Sequence, residues 1–198
     1  MKAKKVLALV LCAALLVAGS VAATLAYLMS TDTVTNTFTI GNVTITLDET
    51  DVDVYGVQDG TTRVKENTYK LIPGHTYTKD PIIHVQGGSE ACYVFVEVVD
   101  QIAAIQDTDT VAEQMIANGW TVLKGNVWYK ATAVDARNVP ETQFEDVAVF
   151  GSFKIKGDAN VADFNGNTIT VTAYAVQADG FADAVAAWNA TYGKPANS

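Results

Sequence analysis

Cysteine, histidine, proline and basic residues are all scarce in this chain, and each shortage closes off a class of protein. Of 198 residues, two are Cys, two are His and four are Pro. Cys12 lies in an apolar run near the N-terminus, which leaves Cys92 alone in the rest of the chain, so no intramolecular disulfide can brace it. Stability must come from packing. The two histidines, His75 and His84, do not form H-E-x-x-H, whose histidines must share one helical face to bind zinc. Both stand in turn or strand text with Asp80 between them, and they read as structural or solvent-exposed side chains. Cys92 sits in the most apolar stretch and reads as a small buried hydrophobe, not as an activated thiolate. Lys and Arg number 13 against 22 Asp and Glu, a formal charge of -9. Such a balance disfavours nucleic acid and anionic membrane and favours solubility. No second long apolar run and no wall-sorting pattern precede the polar end at 194–198, so no anchor is expected in the processed chain.

What is present begins with an export signal. Lys2, Lys4 and Lys5 precede an unbroken apolar run over 6–18 and the small-residue stretch Gly19, Ser20, Val21, Ala22, Ala23, Thr24, the order of a secretory leader. The run is short for a bilayer span, which needs roughly 20 apolar residues, so cleavage is expected and membrane contact only through the uncleaved signal. Small residues permit a cut after Ala22, Ala23 or Ala26, and the text does not choose among them. Leu11 precedes Cys12 where a lipoprotein signal wants a small residue, so lipid attachment is not expected. The leader carries three lysines and no acid, so its removal makes the chain still more acidic. About 170 residues remain, a length suited to one domain. The expected division is a signal peptide over 1–26 and a single domain over 27–198.

The remainder alternates β-branched or aromatic residues with polar ones, the mark of half-buried strands. In TNTFTIGNVTITLD, Phe38 and Ile40 lie on one parity and Val43, Ile45 and Leu47 on the other; Gly41-Asn42 absorbs the switch as a hairpin turn or as a bulge. An acidic stretch over 48–53 follows, with Val52, Val54 and Val57 suggesting a short strand. Residues 69–72 end at the turn dipeptide Pro73-Gly74, and 82–85 form a strand after Pro81. The strand over 91–99 is expected to be central, with Cys92, Val94, Val96 and Val98 on one face and Tyr93, Phe95 and Glu97 on the other. Thr110 and Glu113 have capping-box spacing for a short helix that stops at Asn118-Gly119. Residues 120–123 and 127–130 flank Gly125-Asn126 as a hairpin. Later strands are expected over 147–155 and 169–176, separated by a polar loop. Phe181, Val185, Trp188 and Tyr192 make one stripe of a C-terminal helix with Asp179 as N-cap. No repeat of fixed period is present. The expected fold is mainly β, an antiparallel jelly-roll-like sandwich with two short helices, preceded by the signal helix.

Chemistry-bearing constellations are few. Three acid-rich groups could offer oxygens to calcium: Asp48, Glu49, Asp51 and Asp53; Asp107 and Asp109; and Asp158, Asn160, Asp163 and Asn165. None has the EF-hand order, and solvated loop acids are the simpler reading. Asn42-Val43-Thr44 and Asn189-Ala190-Thr191 match the three-residue glycosylation sequon. No metal, cofactor or catalytic set is implied. The segment 27–37 is polar and Thr-rich, with apolar residues only at Tyr27, Leu28, Met29 and Val34. A β-prone tail of this kind either completes its own sheet or adds to the edge of a neighbour's.

The block ATLAYLMSTDTVTNTFTIGNVTITLDET resembles the signal and mature start of proteins processed by the SipW-type signal peptidase, the TasA/camelysin family. PGHTYTKDP followed by ACYVFVEV is similar to that family's turn and following core strand, and ITVTAYAVQADGFADAVAAWNATYG resembles the end of a subgroup of alternate-signal exported proteins. The resemblance implies a jelly-roll sandwich, cleavage between Ala26 and Tyr27 by a dedicated signal peptidase, and export to the cell surface or biofilm matrix. It also implies assembly with copies of itself, Tyr27, Leu28, Met29 and Val34 lying in the donor strand. On this reading the protein is structural and not an enzyme. The alternatives are a secreted camelysin-like metalloendopeptidase, and a ligand-binding or adhesive sandwich whose mark would be an exposed cluster of Trp120, Trp128 and Tyr129.

Overall fold

The computed structural model describes residues 41–193, together with Ala3, Lys4, Leu11, Cys12 and Leu15, which are helical. The chain divides into two compact units, Met1–Thr39 and Ile40–Ser198. The cleavage points, the segment 27–37, Phe38 and Ile40 lie outside the described residues. Among those described, no helix is long and apolar enough to cross a membrane.

The second unit is a mainly β, antiparallel sandwich. Its strands are β1 (Ile45–Val52), β2 (Gln58–Val64), β3 (Thr76–Thr78), β4 (Ile82–Gln86), β5 (Cys92–Asp100), β6 (Trp120–Lys124), β7 (Val127–Lys130), β8 (Phe144–Ala148), β9 (Ser152–Lys154) and β10 (Ile169–Gln177). The first sheet has the order β2-β1-β4-β8, the second β10-β5-β7-β6, and β3 pairs with β9. Helix α1 (Val111–Ala117) follows β5, and α2 (Ala184–Thr191) follows β10.

Alternation places the core. Ile83 and Val85 of β4, Val147 of β8, Val94, Val96 and Val98 of β5 and Trp128 of β7 meet in one buried cluster, against which Val43, Ile45 and Leu47 pack. The opposite parity of β5 serves a second cluster, in which Phe95 is covered by Ala184, Ala187 and Trp188 of α2. β5 is thus interior to its sheet and buried on both faces, as its near-continuous apolar text predicts. Cys92 is fully buried, and burial pushes its thiol up to about 11, which makes it unreactive at neutral pH.

Local signals account for several element ends. Thr110 accepts from the Glu113 N–H while the Glu113 carboxylate accepts from the Thr110 N–H, a complete capping box. Gly119 then ends α1 with a φ of 79°, a conformation that L side chains with a Cβ rarely take. Residues 125–126 form the tight link between β6 and β7.

Elsewhere the structure departs from the expectation. The acidic stretch 48–53 is not a loop, because β1 runs on to Val52; Asp48 and Glu49 find cations on opposite faces and so tolerate a strand. β2, with almost no apolar residue, exists because β1 offers it a ladder. The strand expected over 147–155 breaks at Val149, Phe150 and Gly151 and passes from β4 to β3 as its partner. At that corner the Gln114 side-chain oxygen accepts from the N–H groups of Gly151 (3.0 Å) and Ser152 (3.2 Å), replacing the missing ladder. Residues 69–72 form no strand. The N-cap of α2 is Asp183, not Asp179, its carboxylate accepting from Ala186 N–H at 2.7 Å. The helix therefore starts after Phe181, and Ala184, Ala187 and Trp188 carry its buried face.

Candidate strand-addition edge

An open sandwich ends in edge strands, and an edge presents backbone N–H and C=O groups to any passing chain. Natural edges are blunted by shortness, charge, proline or bulges. β8 (FEDVA) has five residues and carries Glu145 and Asp146. β6 (WTVLK) also has five, carries Lys124, and its register slips between Val122 and Lys124. β2 (QDGTTRV) carries Asp59, Gly60 and Arg63, and its register with β1 slips between Thr50 and Val52.

β10 has none of these protections. It reads ITVTAYAVQ over nine residues, with no charge, no Gly, no Pro and an unbroken register against β5. The flanking bonds from Ala178 N–H to the Ala91 carbonyl and from Gln101 N–H to the Thr168 carbonyl fix the phase of that ladder. Even-numbered residues bond to β5, so Ile169, Val171, Ala173, Ala175 and Gln177 turn both backbone groups away from it. Among the described residues, these groups have no hydrogen-bond partner. The side chains of Ile169, Val171, Ala173 and Ala175 are half-buried and pack against the core, so an added strand would meet apolar side chains as well as a free ladder.

The proposed donor residues Tyr27, Leu28, Met29 and Val34, and the cleavage residues Ala26 and Tyr27, lie outside the described residues. His75 and His84 do not converge. His75 Nε2 lies 2.8 Å from the Tyr55 carbonyl, whereas His84 sits on the outer face of the first sheet between two carboxylates. Its Nε2 is 2.9 Å from Asp48 Oδ1 and its Nδ1 is 2.5 Å from Asp146 Oδ1. Asp80 is elsewhere occupied, accepting from Thr50 and Arg63. Among the described residues, no group of three or more His, Cys, Asp or Glu is placed to hold a metal ion. Trp120 and Trp128 are buried and Tyr129 is half-buried against the α2 cluster, so these three make no exposed aromatic platform. A shallow groove of about 360 Å³ between β8 and the chain after β7 is lined by Asn118, Lys130, Val134, Asp146 and Ala148 among others, and Trp120 Nε1 donates to the Ala148 carbonyl beside it.

The His84 site has its own consequence. Two ring nitrogens facing two carboxylates are both satisfied only when both carry protons, that is, in the imidazolium. Burial pulls its pKa down, but the bonds and charges of Asp48 and Asp146 outweigh burial and hold it above the ordinary 6.5. Arg63 faces the same Asp48 and also reaches Asp80, and the Phe144 ring lies against the imidazole at 5.6 Å. A raised folded pKa gives stability that is complete below the unfolded value and is lost as pH rises through the folded one. The expected result is an unfolding midpoint that falls as pH rises above 6.5, a fall that His84→Gln flattens. Proton NMR titration of the His84 ring checks the pKa directly; a value at or below 6.5 contradicts the clamp.

Sequence reading missed both the β10 edge and the convergence of Glu49, Asn67 and Lys79 described below. The only textual mark of the edge was the absence of charge from 169–177. Comparison of the chain with protein-family models, with curated proteins and with solved structures finds no match.

Proposed function

We propose that this chain is an exported, non-enzymatic structural protein of the cell surface or extracellular matrix, which assembles with copies of itself by strand addition. The observation that carries the reading is the β10 edge: nine residues, uncharged, whose outward backbone groups find no partner among the described residues, with half-buried apolar side chains alongside. The donor is the N-terminal segment 27–37, freed when a signal peptidase cuts between Ala26 and Tyr27, and the acceptor is β10 of a neighbouring copy. Main-chain bonds would supply affinity and alternate apolar side chains the register, as in other strand additions. The resemblance of the leader and first strand to SipW-dependent matrix proteins supports the same reading. A strongly acidic surface keeps unassembled copies soluble and apart, so association would rely on β10, the long uncharged edge among the described residues.

The test compares protein beginning at Tyr27 with a version lacking 27–37, both concentrated under the same conditions and viewed by electron microscopy. Filaments from the first and none from the second are expected. Strictly monomeric protein from both at high concentration refutes self-assembly, and filaments from both remove 27–37 as the donor.

A further inference from the structure

Three side chains that the strand-addition reading leaves unused converge beside β1. Glu49 and Lys79 are among the few charged residues buried in the sandwich, at 4% and 9% exposure. Lys79 Nζ lies 2.5 Å from Glu49 Oε2, and Asn67 Nδ2 lies 3.0 Å from Glu49 Oε1. One carboxylate therefore holds an amine and a primary carboxamide at its two oxygens. The carboxamide is oriented further: its Oδ1 accepts from Val52 N–H at 3.1 Å, and its Nδ2 donates to the Thr50 carbonyl at 2.8 Å. Tyr69, two residues along from Asn67, donates to the Thr78 carbonyl at 3.0 Å, and its ring packs edge-on against Tyr77 and Phe153. Its phenol is pushed up first by burial and then by the Glu49 and Asp80 charges, which places the Glu49 charge near a largely apolar aromatic wall.

A buried ion pair contributes little net stability, because desolvation offsets the attraction. The same carboxylate touches both an amine and a carboxamide, as a proton shuttle between the two must. We propose that Lys79 and Asn67 become joined by an isopeptide bond whose formation Glu49 promotes. Lys79 Nζ transfers a proton to Glu49 Oε2 along their short contact, which leaves both groups neutral. The neutral amine attacks Asn67 Cγ, and negative charge developing on Oδ1 meets the Val52 N–H already directed at it. Glu49, which faces Nδ2 through Oε1, delivers its proton there, the Cγ–Nδ2 bond breaks and ammonia leaves. The second proton lost by Nζ passes to Glu49, which ends neutral. One C–N bond forms, one breaks, nothing is oxidised or reduced, and no buried charge is left unpaired. The product ties the chain after β2 to the chain before β4, a covalent brace in a sandwich with no disulfide available to it.

Mass spectrometry of the purified full chain decides the matter. The expected intact mass is below the sequence mass by one ammonia, about 17 Da. Trypsin, which cuts after lysine, should release the peptide 66–70 still attached to one that begins at residue 71 and reads uncut through Lys79 to Lys124. Lys79→Arg keeps a cation against Glu49 but cannot form the amide, and Glu49→Gln lacks the proton acceptor; both should return to full mass. A wild-type mass equal to the sequence, or a free 66–70 peptide in full yield, overturns the proposal. So does an ammonia loss that persists in Lys79→Arg, since that marks cyclisation of Asn67 onto its own backbone. Because the wild-type tryptic peptides show the link directly, a variant that fails to fold does not blunt the test. The outcome is also independent of filament formation, so failure of the strand-addition reading leaves it standing.

Discussion

Replacing Ala173 by proline should abolish filament formation, or raise the concentration needed for it at least tenfold, while the sandwich stays folded. The proline ring carries no N–H, and in a sheet it is tolerated where that N–H would point away from the ladder. Ala173 is such a position, since its backbone faces away from β5 while its neighbours Thr172 and Tyr174 bond to Glu97 and Phe95. The substitution therefore removes a donor from the open edge and sets a ring in the path of an added strand without breaking an existing bond. A tenfold change corresponds to about 1.4 kcal/mol, the size of one or two net hydrogen bonds in water. Thr172→Pro is the matched control: it removes a donor that β5 uses and should lower the unfolding midpoint. Sedimentation and electron microscopy read assembly, and circular dichroism with thermal melting reads the fold. Unchanged filaments from a folded Ala173→Pro protein would remove β10 as the acceptor.

The largest effect on stability is expected from Phe153→Ala. Phe153 is almost fully buried, stacks on Tyr77 at a centroid distance of 4.9 Å and meets Tyr69 edge-on at 5.4 Å. Tyr77 in turn accepts from Ile72 N–H at 2.8 Å and donates to the Lys70 carbonyl at 2.5 Å, so the aromatic group fixes the irregular chain between β2 and β3 as well as filling space. Truncating such a side chain costs about 3–5 kcal/mol, set against a total of about 5–15 kcal/mol for a typical domain. Denaturant unfolding of wild type and variant measures the difference. A loss below about 1 kcal/mol would mean that the small β3 and β9 sheet is not part of the cooperative core. The close approach of Gly56 to this region reinforces the point: a Cβ there would lie 2.8 Å from the Tyr77 Cα, at a φ of 76°.

Strands with regular alternation were legible in advance. The two faces of β5, the β6 and β7 hairpin and the capping box of α1 follow from spacing alone, because side-chain period and orphan N–H groups are local matters. β2 was illegible because its stability comes from its partner β1 and not from its own composition. The break between β8 and β9 was hidden because the text over 147–155 is uniformly strand-like, while the bend depends on Gln114, distant in sequence, supplying hydrogen bonds at the corner.

By itself, then, the sequence determined that the chain beyond its apolar N-terminal run is an antiparallel β fold with two short helices, and that packing, not an internal disulfide, stabilises that fold. These follow from composition and from periods of two and 3.6 residues, which any stretch of chain carries within itself. Only the tertiary structure decided which strand, among the described residues, ends a sheet with an uncharged edge, and which side chains distant in sequence meet. Edge status is a property of sheet order. The meeting of Glu49, Asn67 and Lys79, like that of His84 with Asp48 and Asp146, joins residues from separate strands and loops whose nearness is created by folding alone.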